Sequence, residues 1–96
     1  MSLNQDRIRL FEADLQRVFE ITEMLFEDES HLHAGHAGAA SGGGHFKLTL
    51  ISPEFQGLNT VARHRAIYAA LSSHFPDAIH ALSIQALTPN ERPSSV

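Results

Sequence analysis

The sequence predicts a single α/β (α+β) domain of order α-β-β-α-β, a three-stranded mixed sheet covered by helices on one face. Three observations carry this expectation. Apolar residues recur at helical spacing in residues 8–19 and again in 60–75. Apolar and polar residues alternate in 46–50 and in 82–86, the period of a half-buried strand. The second helical segment lies between those two strands, and a strand–helix–strand crossover makes the strands parallel and is itself right-handed.

Taken in order, Ile8, Phe11, Leu15, Val18 and Phe19 form one stripe, with Arg7, Glu12, Asp14 and Arg17 left to water. Asn4-Gln5-Asp6 offers an N-cap. Thr22–Asp28, centred on Met24-Leu25-Phe26, reads as a short first strand. Residues 29–44 carry no periodicity and end in Gly42-Gly43-Gly44, so they read as a long loop. Such loops inside a compact domain are usually functional or disordered. Phe46, Leu48 and Leu50 alternate with Lys47 and Thr49 in strand two, and Pro53 and Gly57 bracket a turn. On a helical wheel Thr60, Val61, His64, Ile67, Tyr68, Leu71 and Phe75 share the core-facing side of the second helix, which Pro76 stops. Ile79–Leu87 forms strand three, with Leu82, Ile84 and Ala86 on one face and Ser83 and Gln85 on the other. The expected domain covers residues 1–91, and the Pro- and Ser-rich tail, 92–96, is expected to fray.

Ninety-six residues suffice for one domain with a modest core. The net charge of −4 argues against a dedicated nucleic-acid binder, which normally carries a basic footprint. Full protonation of the seven histidines would bring that charge to +3. No cysteine is present, so this chain supplies no disulfide, catalytic thiol or thiolate ligand. No signal peptide is recognisable and no apolar run has membrane-spanning length, so a cytoplasmic protein without a membrane partner is expected.

Histidine carries the chemistry. His31, His33 and His36 lie on the loop as H-x-H-x-x-H, and neutral imidazole is the commonest metal ligand. His80 opens strand three. Strand two starts where the loop ends, and strand three, parallel to it, starts at the same end. His80 should therefore lie near the loop, on the Leu82 face at its rim. A strand-start histidine satisfied by a backbone carbonyl remains the plainer alternative, as do solvated loop histidines. Arg63-His64-Arg65 lies mid-helix: His64 is expected to point at the core in a structural role, with the two arginines half exposed on either side.

The ordered set Glu29-Ser30-His31-Leu32-His33, His45-Phe46-Lys47, Phe55-Gln56-Gly57, Arg63-His64-Arg65 and Ile79-His80-Ala81-Leu82-Ser83 resembles the BolA-like family over roughly residues 23–91. The resemblance implies a class II KH-like fold and pairing with a monothiol glutaredoxin. The two proteins share a [2Fe–2S] cluster to which glutaredoxin and glutathione give thiolates and the BolA-like chain gives histidines. Carried over, the strand-start ligand is His80 and the loop ligand best matches His33, with His31 and His36 as alternatives. No cofactor is expected to bind the isolated chain tightly, and the free chain is expected as a monomer or weak dimer. Some family members are described as transcriptional regulators, which makes DNA binding through Arg63, Arg65 and Lys47 the rival reading. The turn at Phe55–Asn59 has one Gly where KH domains carry Gly-x-x-Gly. An enzyme is not expected: the chain has no nucleophile elbow, no paired-carboxylate setting and no phosphate loop.

Overall fold

The computed structural model describes residues 2–33 and 42–93. Helix α1 spans Leu3–Val18, and its cap is Ser2, whose hydroxyl accepts the Gln5 N–H at 3.1 Å. The expected cap lay two residues later; Asn4 is inside the helix and serves another purpose. Phe11 and Leu15 are fully buried and Ile8 and Phe19 pack beside them, as the spacing predicts, whereas Val18 is exposed.

Strand β1, Glu23–Asp28, pairs antiparallel with β2, Gly44–Ile51, which pairs parallel with β3, Ile79–Leu87. The order is β1-β2-β3. Register puts Phe26 opposite Leu48 and Leu48 opposite Ile84, so the alternating apolar positions of all three strands fall on one face. There they meet Phe11 and Leu15 from α1 and Ile67 and Leu71 from the second helix. On the opposite face Lys47 and Gln85 are exposed, and a groove of about 560 Å³ runs between Glu23, Leu25, Lys47, Thr49 and Gln85. The helices thus cover one face.

Helix α2 spans Thr60–Ala70 and is capped by the Asn59 side chain on the Ala62 N–H at 2.9 Å. It ends before Pro76: a 3-10 turn, Ser72–His74, intervenes. Ser72 and Ser73, weaker helix formers than the alanines before them, stand where it ends. The wheel is also rotated from expectation. Val61 and Tyr68 are exposed, His64 is only half-buried, and the buried line runs through Arg63, Ile67 and Leu71. Ala70 packs against the core on this side. Tyr68 keeps an amphipathic compromise. Its ring lies 5.4 Å from that of Phe75 and its hydroxyl donates to the Leu82 carbonyl at 3.3 Å.

Arg63 is not half exposed but 12 % exposed. It donates Nε to Leu58 O at 2.8 Å and Nη1 to Ala86 O at 3.0 Å, and it grips both Glu91 carboxylate oxygens at 2.5 and 3.2 Å. A planar five-donor fork is suited to such a junction. It ties α2 to the end of β3 and to the final turn, Pro89–Glu91. Arg92, expected in the frayed tail, is instead paired with Glu23 of β1; residues 94–96 lie outside the described residues.

The Arg63 bonds, with the Thr88 N–H, hold the Glu91 carboxyl down to about 2, against an ordinary 4.5. A depressed carboxylate pKa stabilises the fold fully above the unfolded value and loses that stabilisation as pH falls through the folded one. The melting temperature of the wild type is therefore expected to fall more steeply than that of Glu91→Gln between pH 4.5 and 2. Parallel profiles in that window would remove Glu91 from the acid response.

Candidate site at the strand-start histidines

The parallel register sets the site. β2 and β3 begin at the same end of the sheet, with Gly44 opposite Ile79 and His45 opposite Ala81. Between these pairs β3 has one residue more than β2, a bulge. That extra residue is His80. Simple alternation would have given His80 the Leu82 face. The bulge instead lets Ile79 enter the core, fully buried, and leaves His80 exposed. Its ring lies 5.2 Å, centroid to centroid, from that of His45 at an interplanar angle of 46°. His45 is 7 % exposed and alternates with core residue Phe46.

Glycine makes this approach possible. A Cβ on Gly43 would sit 2.9 Å from His80 Cβ, 3.1 Å from Asp77 O and 3.3 Å from the His80 N. These neighbours belong to the backbone or directly adjoin it, so no rotamer change relieves the contact. One on Gly44 would meet the Phe46 ring at 2.5 Å. Gly43→Ala should cost about 1–3 kcal/mol by forced separation of the two strand starts. Chemical denaturation reads the cost, and the His45 and His80 imidazole resonances should shift with it. Unchanged stability and unchanged resonances would contradict the close approach.

The base of the 29–44 connection is bonded on both sides. Ser30 Oγ accepts the His45 N–H at 3.0 Å, and the Glu29 N–H donates to His45 O at 2.8 Å. Asp28 accepts the Ser30 N–H at 2.9 Å and Asn4 Nδ2 at 3.1 Å. Partial burial works to raise the Asp28 pKa. The Ser30 and Asn4 bonds and the charge of His31 outweigh it together and leave the carboxyl below its ordinary value.

The sequence-predicted residues fare differently. His80 lies at the open edge beside the end of the Gly-rich run, as the topology argument required. His31 is exposed on a 3-10 turn, Ser30–His33, whose backbone also includes His33. The His33 side chain and all of His36 lie outside the described residues. Sequence reasoning missed His45 as a neighbour of His80. The signal was available, because both histidines sit one residue inside strands that start together. Among the described residues no three His, Cys, Asp or Glu side chains gather as a metal site. Two imidazoles are too few for a closed tetrahedral centre, so a metal held here draws further ligands from elsewhere.

Of the nucleic-acid candidates, Arg63 is engaged as described above and is not a free phosphate contact. Arg65 is exposed on α2, which packs on one face of the sheet, and Lys47 is exposed on the other face. They do not form one basic surface. No helix among the described residues is long and apolar enough to cross a membrane.

A family model described as BolA-like protein matches residues 15–91. The chain is 39% identical over 93 residues to Protein BOLA1, chloroplastic, of Arabidopsis thaliana, covering 94% of this chain and 58% of that protein. It is 35% identical over 91 residues to the DNA-binding transcriptional regulator BolA of Haemophilus influenzae, covering 95% and 82%. Among solved structures, the BolA domain of SufE1 from Arabidopsis thaliana superposes with a TM-score of 0.78 at 39% identity, over 90% of this chain and 95% of that one. The chain therefore spans little more than half the length of the plant BOLA1 protein.

Proposed function

Given that this chain belongs to the BolA family, we propose that it is an adaptor, not an enzyme, that pairs with a monothiol glutaredoxin and helps hold a shared [2Fe–2S] cluster in the cytoplasm. The observation that carries the reading is the exposed His80 imidazole 5.2 Å from His45 at the open end of the sheet. The donor chemistry fits the cargo. Imidazole replaces thiolate on one iron of Rieske-type centres, and this chain has histidines and no cysteine. Glutaredoxin and glutathione would supply the thiolates. When bound, the cluster supplies one-electron redox chemistry or is handed on as cargo.

The chain's own part is positional. His80 presents its ring at the edge, the principal ligand in this reading. The second imidazole comes from His45, already adjacent, or from His33 on the 3-10 turn, with His31 and His36 as the remaining loop donors. The DNA reading, which the name of the Haemophilus influenzae relative suggests for that protein, draws less support here. Arg63 is committed to Glu91 and two carbonyls, and Arg65 and Lys47 lie on opposite sides of the sheet.

The test is spectroscopic. A cluster-loaded monothiol glutaredoxin with glutathione is titrated with this protein, and visible circular dichroism and electron paramagnetic resonance are recorded. The glutaredoxin-only signals are expected to convert to a new set saturating at a fixed ratio. Spectra that remain those of glutaredoxin alone throughout the titration rule the adaptor reading out.

A further inference from the structure

Asn4 and Arg7 lie on α1, outside the segment that the family model matches, and far in sequence from the two histidines. Their side chains nevertheless reach both ends of the connection between β1 and β2. Arg7 Nη1 donates to Gly42 O at 2.9 Å, on the returning side, and to Asn4 Oδ1 at 3.1 Å. Asn4 Nδ2 donates to Asp28 Oδ2 at 3.1 Å and to Ser30 Oγ at 3.3 Å, on the departing side. Ser30 Oγ in turn accepts the backbone N–H of His45. One residue beyond Gly42, Gly43 packs against His80. A continuous set of bonds therefore runs from the first turns of α1 to the backbone of one histidine and to the neighbour of the other.

We propose that Asn4 and Arg7 are positioning residues that clamp the base of the 29–44 connection and so hold His45 and His80 at their mutual spacing. That role rests on the cluster-sharing reading above for its functional meaning, but the clamp itself is a property of the free chain. The bonds are well placed for it. A single guanidinium nitrogen, Nη1, bridges a carbonyl and an amide oxygen with its two protons, a contact that a lysine ammonium can partly reproduce. Asn4 supplies an acceptor to Arg7 and donates to Asp28 and Ser30, so the two residues link both sides of the connection in one network. Without the clamp, β1 and β2 would still pair and the core would still form, because Asn4 and Arg7 add nothing to the apolar cluster. Only the strand-start end would open more often.

Three variants and two arms test this. Arg7→Ala and Asn4→Ala are prepared, with Arg7→Lys as the conservative counterpart of the first. In the free protein, amide exchange of His45 and the imidazole nitrogen shifts of His45 and His80 are measured by NMR. Exchange of the His45 amide is expected to accelerate about tenfold in both alanine variants, the scale of one lost charge-assisted bond. The melting temperature should stay within a few degrees of wild type, and Arg7→Lys should recover part of the protection. His45 exchange and imidazole shifts indistinguishable from wild type in both variants overturn the clamp. In the second arm, cluster-loaded glutaredoxin is titrated as above, and about tenfold more of either alanine variant should be needed for half conversion. Accelerated exchange with an unaltered titration overturns the positioning role. A wild-type titration with no spectral change is instead a failure of the adaptor reading, and the exchange arm still decides whether the clamp exists.

Discussion

His80→Ala is expected to fold with essentially wild-type stability and to leave the glutaredoxin cluster spectrum unchanged on mixing, where the wild-type chain converts it. The two halves of this result come from one fact. The His80 side chain is exposed on a bulge and belongs to no apolar cluster, so truncating it should cost no more than about 0.5 kcal/mol. In the cluster-sharing reading, by contrast, that exposed ring is the principal ligand offered to the partner. His45→Ala is a useful contrast. It removes a side chain 7 % exposed and should lower stability as well as weaken the spectral conversion. A His80→Ala protein that converts the spectrum at wild-type stoichiometry removes His80 from the proposed ligand set.

Phe11→Ala is expected to have the largest effect on stability, about 3–5 kcal/mol in denaturant unfolding. Phe11 is fully buried where α1 meets the sheet. Its ring lies 5.7 Å from that of Phe26 on β1, 5.3 Å from Phe46 on β2 and 4.8 Å from the His74 ring. Truncation therefore leaves a cavity lined by three other elements, none of which collapses into it without disturbing the rest. A domain of this size has on the order of 5–15 kcal/mol to lose, so a large share of the protein should be unfolded at 37 °C if it lies near the lower end. Val18→Ala, in the same predicted stripe but exposed, should change stability by less than about 0.5 kcal/mol. Equal costs for the two substitutions would show that the core does not lie where α1 crosses the sheet.

The comparison of Phe11 and Val18 also shows how far periodicity carries. A helical stripe in sequence is broad, and which of its members reach the core depends on the angle at which the helix lies on the sheet. The same uncertainty rotated α2. Val61, His64 and Tyr68 satisfy the wheel as well as Ile67 and Leu71 do. The side that goes down carries Ala70 and the Arg63 that bonds Leu58 O, Ala86 O and Glu91. The sequence places Arg63 half exposed beside His64, as arginine on a helix flank usually is. Its burial depends on Glu91, Leu58 O and Ala86 O, partners supplied by other parts of the chain.

The strands are more legible, since period two leaves only two choices of face and the crossover rule fixes the parallel sense of β2 and β3. The topology alone also brings His80 to the end of the Gly-rich run. The bulge was not visible. One extra residue in β3 changes no local pattern, yet it moves Ile79 into the core and His80 to the edge beside His45.

By itself the sequence determined the element order, the parallel pairing of β2 with β3, the end of the sheet where histidines gather and the family to which the chain belongs. These follow from short-range periodicity and from the limited ways in which strands can connect. Only the tertiary structure decided which histidine stands next to His80, that Arg63 is a clamp for the final turn, and that Asn4 and Arg7 reach across to the strand starts. Each of these depends on partners tens of residues apart, and distance in sequence carries no record of side-chain contacts made when the chain closes on itself.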